Sequence, residues 1–223
     1  MANFQEARQA MVDGQVRTSD VTHLGLIAAM LEIPREAFVP EARAAFAYLD
    51  RDVAIADATA TRPARYLMKP AVLARLIQAA DPNLRDRVLV IGAGTGYAAA
   101  VISRLAGEVV ALEEDQLLFR EARAVLTSLE SRNITVINGC LPDGAPASGP
   151  YDVILIDGGV EIVPDPLCGQ LTAGGRLVAV VRSGPLGKAK LFQLVNGKCS
   201  GRELFDASVP VLPGFSLAPA FVF

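Results

Sequence analysis

Residues 88–97 of the chain read VLVIGAGTGY, and this stretch decides the fold. Its apolar run ends in three alternating glycines, Gly92, Gly94 and Gly96. Residues 97–105 then show the apolar spacing of a helix, and residues 108–112 are apolar again. The stretch therefore predicts a strand, a tight glycine turn, a helix and a second strand. Because such crossovers are right-handed, we expect the two strands to be parallel.

The same alternation extends in both directions from this unit. A proline at the first helical turn predicts a helix from Pro70 to Ala80. Downstream we predict a helix over 116–129, strands over 134–137 and 153–156, a helix near 165–171 and a strand over 176–181. Repeated units of this kind predict an α/β fold with a Rossmann-like, doubly wound, mostly parallel sheet. The tail is expected to add antiparallel edge strands within 190–195, 201–211 and 220–223.

The N-terminal part has a different pattern. Residues 4–46 repeat apolar side chains at helical steps, with Asp20 or Ser19 placed to cap a helix. Residues 50–70 lose this pattern and predict a long ordered loop. We expect one domain over residues 1–223, in which 1–70 form a helical extension with that loop and 71–223 form the sheet core.

Composition excludes several classes of function. The net charge of −3 and the lack of a basic stripe argue against a nucleic-acid partner, and no apolar run is long enough for a membrane span. The N-terminal sequence has no leader pattern, so we expect a cytoplasmic protein. A single histidine, His23, excludes a zinc hydrolase. The cysteines Cys140, Cys168 and Cys199 are expected to be buried free thiols, with no metal site.

The position of Glu113 indicates which ligand the glycine turn could bind. It follows Gly92 by about twenty residues at the end of the second strand, where a carboxylate can accept hydrogen bonds from both hydroxyls of a ribose. A nucleoside site is therefore predicted, and a simple tight turn is the alternative. Tyr97 replaces the third glycine of the dinucleotide fingerprint, which weighs against a nicotinamide cofactor. Glu114 and Asp115 are expected to cap the next helix.

Three stretches make the sequence resemble the protein-L-isoaspartate O-methyltransferase family. The first comprises residues 11–17 (MVDGQVR) and 33–41 (IPREAFVPE). The second is 90–97 (VIGAGTGY), followed by Leu112 and Glu113. The third comprises 151–154 (YDVI) and 171–178 (LTAGGRLV).

The resemblance implies a cofactor, a reaction and a partner. The cofactor would be S-adenosylmethionine, and the reaction would be methyl transfer to a carboxylate, typically of an isoaspartyl residue in a damaged protein awaiting repair. The partner would be a protein or peptide bearing that carboxylate, with no nucleic acid and no membrane; the oligomeric state stays open. The predicted cofactor-binding residues are Ile91, Gly92, Ala93, Gly94, Gly96, Tyr97, Glu113, Glu114, Cys140 and Leu141.

This chain departs from the family pattern where the acceptor should bind. The family's Gln-Thr-Ile-Ser-x-Pro is here residues 65–70 (RYLMKP), so Met68 stands at the serine position and cannot donate a hydrogen bond. Cys140 stands where the family has an aspartate near adenine, and Asp157 where it usually has Thr-Ala-Ala. Asp157 and Thr61, with Thr59 beside it, are the candidates for catalytic roles.

Three functional hypotheses follow. The first is an S-adenosylmethionine-dependent O-methyltransferase of the isoaspartyl type, with an acceptor that has changed or stayed the same. The second is a regulatory relative that binds the cofactor and catalyses nothing, which Met68 and Cys140 favour. The third is a nicotinamide-dependent oxidoreductase, which Tyr97 disfavours. Methyl transfer to an ionised carboxylate needs no acid–base dyad, so we favour the first.

Overall fold

The computed structural model of the chain describes residues 3–195 and 198–217. Strands β1 (Val53–Ala56) and β2 (Arg65–Leu67) form an antiparallel pair of their own. Within these ranges the main sheet contains seven strands: β3 (Arg87–Ile91), β4 (Glu108–Glu113), β5 (Ile134–Asn138), β6 (Tyr151–Val160), β7 (Leu171–Ser183), β8 (Leu186–Val195) and β9 (Lys198–Asp206). Their order across the sheet is β5-β4-β3-β6-β7-β8-β9, with β3 to β7 parallel and the last two antiparallel. The predicted mostly parallel Rossmann-like sheet is confirmed.

Strand β3 lies at the centre because its residues are apolar on both faces. Val88 and Val90 contribute to the core on one side, whereas Leu89 and Ile91 contribute to the core on the other. The register pairs Ile91 with residues 112 and 156, so the carboxyl ends of β3, β4 and β6 meet at one edge. Ligands of open α/β sheets bind at such an edge.

In the described part of the chain, six α-helices surround the sheet: α1 (Phe4–Met11), α2 (Leu24–Glu32), α3 (Pro70–Ala80), α4 (Tyr97–Ile102), α5 (Gln116–Ser128) and α6 (Asp165–Cys168). Helices α2 to α5 share one apolar core, while α6, Leu141 and the tail residues Leu212 and Phe215 cover the opposite face. The predicted helix from Pro70 to Ala80 has the bounds expected from its sequence.

Two predictions about helix caps were wrong. Helix α2 is capped by His23, whose ring nitrogen accepts from the Leu26 amide, and not by Asp20 or Ser19. Asp20 has a left-handed conformation that ends the preceding 3₁₀ turn. Asp115 caps α5 as expected by accepting from two amides, but Glu114 does not cap it.

The predicted long loop and the predicted tail also differ from the structure. Residues 50–70 contain β1 and β2 and therefore form a hairpin. Between α1 and α2 the chain forms a π-turn and a 3₁₀ turn, and it forms two further 3₁₀ segments over 35–46. Strand β9 ends at Asp206, and residues 207–217 turn back across the carboxyl edge of the sheet. The predicted strand 220–223 lies outside the described residues.

The cysteine prediction was wrong as well. Cys168 at the end of α6 forms a disulfide with Cys199 in β9, and the free thiol of Cys140 is exposed rather than buried. Strands β7 and β8 bring these two distant positions together, which sequence spacing does not reveal. Within 3–195 and 198–217, no three His, Cys, Asp or Glu side chains are grouped to hold a metal ion. No helix in those ranges is long and apolar enough to cross a membrane.

Candidate functional site

The glycine turn lies where the carboxyl ends of β3 and β4 meet. Gly92, Gly94 and Gly96 have φ values of +76°, +57° and +101°, a region that favours glycine. The amides of Gly92 and Ala93 both donate to the Leu112 carbonyl at 3.0 Å. This turn brings the backbone close to the end of β4, as a nucleoside site requires.

Glu113 is fully buried beside that turn. Its carboxylate accepts from both terminal nitrogens of Arg65, at 2.7 and 2.9 Å, and from the Gly94 amide at 2.8 Å. The amides of Glu114 and Asp115 donate to it as well, each at 3.0 Å. A carboxylate offers about four acceptor positions, so these five donors saturate it.

Arg65 comes from β2 and is 5% exposed. Besides its two bonds to Glu113, it donates to the Gly92 carbonyl at 3.3 Å. The ion pair thus ties the hairpin to the glycine turn and occupies the acceptor atoms that a ribose would need.

Leu212 fills the space above the turn. A Cβ atom added to Gly92 or Gly158 would lie 2.6 or 2.5 Å from an atom of the Leu212 side chain. Two backbone hydrogen bonds hold this part of the tail on β6, from Gly159 to the Pro210 carbonyl and from Leu212 to the Gly159 carbonyl, each at 2.8 Å.

A second apolar side chain closes the other side of the turn. A Cβ atom on Gly94 would lie 2.7 Å from Cδ1 of Ile55, which belongs to β1. The glycine turn is thus enclosed by the hairpin on one side and by the tail on the other.

A small cavity of about 20 Å3 lies between β2, β6 and the tail. This is room for roughly one water molecule. Its polar lining comes from Asp52, Arg65 and Asp157, and its apolar lining includes Met68 and Leu212.

Asp157, a predicted catalytic candidate, lies in β6 and faces this cavity. Burial raises the pKa of its carboxyl to about 7, against the opposing effect of Arg35 and Arg65. Its Oδ1 atom has no hydrogen-bond partner among residues 3–195 and 198–217. A carboxyl with this pKa is divided between its neutral and charged forms near pH 7.

Arg35 is a second buried charge near Asp157. It donates to the Ala47 and Met68 carbonyls, each at 2.7 Å, and its Cζ lies 4.7 Å from the centre of the Tyr97 ring. Burial lowers the pKa of Arg35. Its Nη1 and the Tyr97 hydroxyl are buried and have no hydrogen-bond partner in the part of the chain that the structure describes. Arg35 therefore holds the backbone at Met68 in place through its hydrogen bond to the Met68 carbonyl.

The structure brings together some predicted site residues and separates others. Ile91, Ala93, Tyr97 and Leu141 are buried, whereas Cys140 is exposed.

Glu114 is partly buried, and burial raises the pKa of its carboxyl. Thr61 is exposed and does not line the cavity; its amide donates to the Thr59 hydroxyl in a local turn. Met68 does line the cavity, at the position where the family has serine. Of the predicted residues, Ile91 and Leu141 thus belong to the apolar core on one face of the sheet and Ala93 and Tyr97 to the core on the other. Asp157 lines the cavity, and Thr61 does not.

Sequence reasoning missed two residues of this site. Arg65 was seen only as a departure from the family pattern, although a charged residue in an otherwise apolar segment is a signal for a buried partner. Leu212 lies in a tail with no motif, and no sequence signal indicates its position.

The residues suit an adenosyl group in kind. A glycine turn with positive φ values and a carboxylate at the end of the next strand are the features with which such folds bind a nucleoside, and the turn and Glu113 provide both. The chain's own side chains, Arg65 and Leu212, take the corresponding hydrogen bonds and volume.

Comparison with known proteins gives a consistent family match. A family model described as protein-L-isoaspartate(D-aspartate) O-methyltransferase matches residues 6–208. A protein-L-isoaspartate O-methyltransferase from Pelotomaculum thermopropionicum is 40% identical over 174 residues, which are 78% of this chain and 73% of that protein. A protein of the same name from Herpetosiphon aurantiacus is 35% identical over 200 residues, or 90% of this chain and 84% of that one.

Solved structures agree with this match. A protein-L-isoaspartate O-methyltransferase structure has a TM-score of 0.80 and 27% identity, covering 93% of this chain and 66% of its own. A putative enzyme of this kind from Plasmodium falciparum, in complex with S-adenosyl-L-homocysteine, has a TM-score of 0.74 and covers 95% of this chain and 99% of its own. It is 18% identical, so this likeness shows the fold.

Proposed function

The chain belongs to the protein-L-isoaspartate(D-aspartate) O-methyltransferase family of S-adenosylmethionine-dependent methyltransferases, and on that premise we propose that it methylates a carboxylate in a protein or peptide. The observation that supports this most directly is the pairing of a positive-φ glycine turn with the buried Glu113 at the end of the next strand. The acceptor we propose is an isoaspartyl side chain.

We propose a cofactor site built from the ends of β3 and β4. Glu113 would accept from the ribose hydroxyls, and the turn from Gly92 to Gly96 would enclose the methionine part. Ile91, Ala93, Tyr97 and Leu141 would support it from the buried side, and Glu114 and Cys140 would lie toward the adenine. Cys140 is exposed and offers only a weak donor there, so backbone groups would contribute most of the adenine contacts.

In methyl transfer to a carboxylate, the main task of the protein is to position the two reacting groups. When bound, S-adenosylmethionine supplies an electrophilic methyl carbon on a sulfonium. The acceptor carboxylate is ionised at neutral pH, so no base has to remove a proton from it. We propose that Asp157 helps to position the reacting groups, since it lies in β6 and faces the cavity. Thr61 would take part only if the hairpin moved, because its side chain is now exposed.

The proposal also covers the domain organisation, the cellular location and the partners. Residues 1–70 would present the acceptor side, and 71–223 the cofactor side, of one domain. We propose a cytoplasmic enzyme without nucleic-acid or membrane partners, in keeping with the net charge of −3. The disulfide between Cys168 and Cys199 is the observation that opposes this location, because such bonds are rare in the cytosol.

Two measurements on the full chain test the proposed function. Calorimetry with S-adenosylhomocysteine measures cofactor binding, and labelled S-adenosylmethionine measures transfer to an isoaspartyl peptide, with the normal aspartyl peptide as control. We expect binding and selective transfer to the isoaspartyl peptide. Binding without transfer would favour a regulatory relative, and absence of both would remove the cofactor assignment.

A further inference from the structure

Arg65 occupies the acceptor atoms of the carboxylate that the cofactor needs. We propose that Arg65 is the anchor for the acceptor carboxylate, held on Glu113 until the cofactor displaces it. The inference rests on the proposed function and adds an order of binding to it, in which the cofactor binds before the acceptor.

The first step is competition for Glu113. The Glu113 carboxylate already accepts five hydrogen bonds, two of them from the planar guanidinium of Arg65. Two ribose hydroxyls would be donors to the same two oxygens. Three of the present donors are backbone amides of the turn and of the following residues, which are fixed by the fold. Arg65 is therefore the donor that leaves.

The second step concerns the charge of the released guanidinium. A buried cation without a partner is costly, so Arg65 needs another anion. It already lines the small cavity beside Asp157, and it is the one cation among the described residues of that lining. The acceptor of the proposed reaction is a carboxylate, which is the ligand that a planar guanidinium binds with two parallel hydrogen bonds.

The internal anions of the cavity are the rivals of the acceptor. Asp52 already accepts from the Lys69 amide at 2.8 Å, whereas the Oδ1 atom of Asp157 has no hydrogen-bond partner among the described residues. An Arg65 that moved to Asp157 would leave the affinity for the acceptor independent of Arg65. The two destinations are thus separable by experiment.

Leu212 is the second part of the closed site. Its side chain lies on Gly92 and Gly158, so the tail must shift when the cofactor enters. Leu212 carries no charge, and truncating it opens space without altering the ion pair. A variant at Leu212 therefore separates steric closure from the role of the cation.

The test measures binding of S-adenosylhomocysteine and of an isoaspartyl peptide to the full chain by calorimetry, separately and together. Removal of a competing closed state raises apparent affinity by the inverse of the open fraction. For Arg65→Gln we expect about tenfold tighter S-adenosylhomocysteine binding. We also expect a loss of at least about tenfold in peptide affinity, the effect of removing a charge-assisted bidentate contact.

Three further variants complete the set. Arg65→Lys keeps the positive charge but loses the bidentate geometry on Glu113 and on the acceptor. It should therefore bind S-adenosylhomocysteine more tightly than wild type, with a peptide affinity between those of wild type and Arg65→Gln. Leu212→Ala should bind S-adenosylhomocysteine more tightly and should not show the loss of peptide affinity expected for Arg65→Gln. Arg62→Gln is the matched control, since Arg62 pairs with Asp115 and makes no contact with Glu113; it should behave as wild type. The wild type should bind the peptide only when S-adenosylhomocysteine is present.

The outcomes distinguish this inference from the proposed function. If Arg65→Lys and Leu212→Ala both bind S-adenosylhomocysteine with wild-type affinity, Arg65 does not compete with the cofactor for Glu113. This result overturns the inference even if Arg65→Gln does not fold. Equal peptide affinity of wild-type and Arg65→Gln cofactor complexes overturns the anchor and indicates that Arg65 moves to Asp157. Absence of S-adenosylhomocysteine binding to every variant overturns the proposed function itself and this inference with it.

Discussion

Asp157 should make the stability of the fold depend on pH. Burial raises the pKa of its carboxyl from an ordinary 3.8 to about 7. Below the lower value the group is protonated in both the folded and the unfolded state and contributes no pH dependence. As the pH rises toward 7, the unfolded chain releases this proton while the folded chain keeps it, so stability falls. Above pH 7 the decrease in the free energy of unfolding stays constant, at about 4 kcal/mol.

Replacing Asp157 with asparagine removes this titration and keeps the shape of the side chain. The free energy of unfolding of Asp157→Asn, relative to wild type, should therefore rise by about 4 kcal/mol between pH 4 and pH 8. Urea denaturation at several pH values measures it directly. The difference between the two proteins is the relevant quantity, because every other titrating group is common to both.

A control variant shows that charge removal alone is not responsible. Glu121 is exposed on α5, so Glu121→Gln should give a small difference from wild type with no comparable trend in pH. A constant difference between Asp157→Asn and wild type from pH 4 to pH 8 would refute the reasoning, since it would mean that Asp157 titrates alike in both states.

Three further predictions concern the closed site and its supports. Glu113→Gln leaves Arg65 buried without its anion, so we expect the free energy of unfolding to fall by about 3–5 kcal/mol. The melting temperature should be lower than that of wild type, and S-adenosylhomocysteine should no longer raise it. A wild-type melting temperature would contradict this prediction. Gly159→Ala places a Cβ atom 2.7 Å from the Val209 carbonyl oxygen, so the tail should detach and its amides, including that of Leu212, should exchange hydrogen faster. Gly14→Ala, which meets nothing within 4 Å, is the control for that exchange measurement. The Cys168–Cys199 disulfide spans 31 residues, so reduction should lower the free energy of unfolding by about 3–4 kcal/mol. The double variant Cys168→Ser and Cys199→Ser should not respond to the reductant, and an equal response of both proteins would exclude the bond.

The sequence was sufficient for the elements whose signals are local. The run 88–91 is apolar at every position, which is typical of a strand buried on both faces, and Pro70 marks a helix start through its fixed φ. The hairpin within 50–70 has no such signal, because β1 and β2 have four and three residues and follow irregular sequence. His23 caps α2 through a ring nitrogen, which is not among the common capping groups.

Long-range placement explains what could not be predicted. The pairing of Cys168 with Cys199 depends on the antiparallel strands β7 to β9, and the contact of Leu212 with Gly92 depends on how the tail returns. Glu113 could be placed by its spacing from the glycine turn, but its partner Arg65 lies 48 residues earlier in the chain. The backbone of the site was thus predictable, while the side chains that fill it were not.

The substitutions that distinguish this chain from the family pattern have one physical consequence. A glutamine at position 65, as in the family pattern, would leave the buried Glu113 without a cation. Such a carboxylate would be held by amides alone until hydroxyl donors arrived. Arg65 instead neutralises Glu113 in the absence of any ligand, and Met68 adds an apolar side chain to the lining of the adjoining cavity. The closed form is therefore stable on its own. If the proposed cofactor site is correct, the cofactor binds against this form, and its apparent affinity is the intrinsic affinity multiplied by the open fraction. Tight cofactor binding and a ligand-free site closed by its own ion pair are opposing properties at this position, and the residue at 65 decides between them.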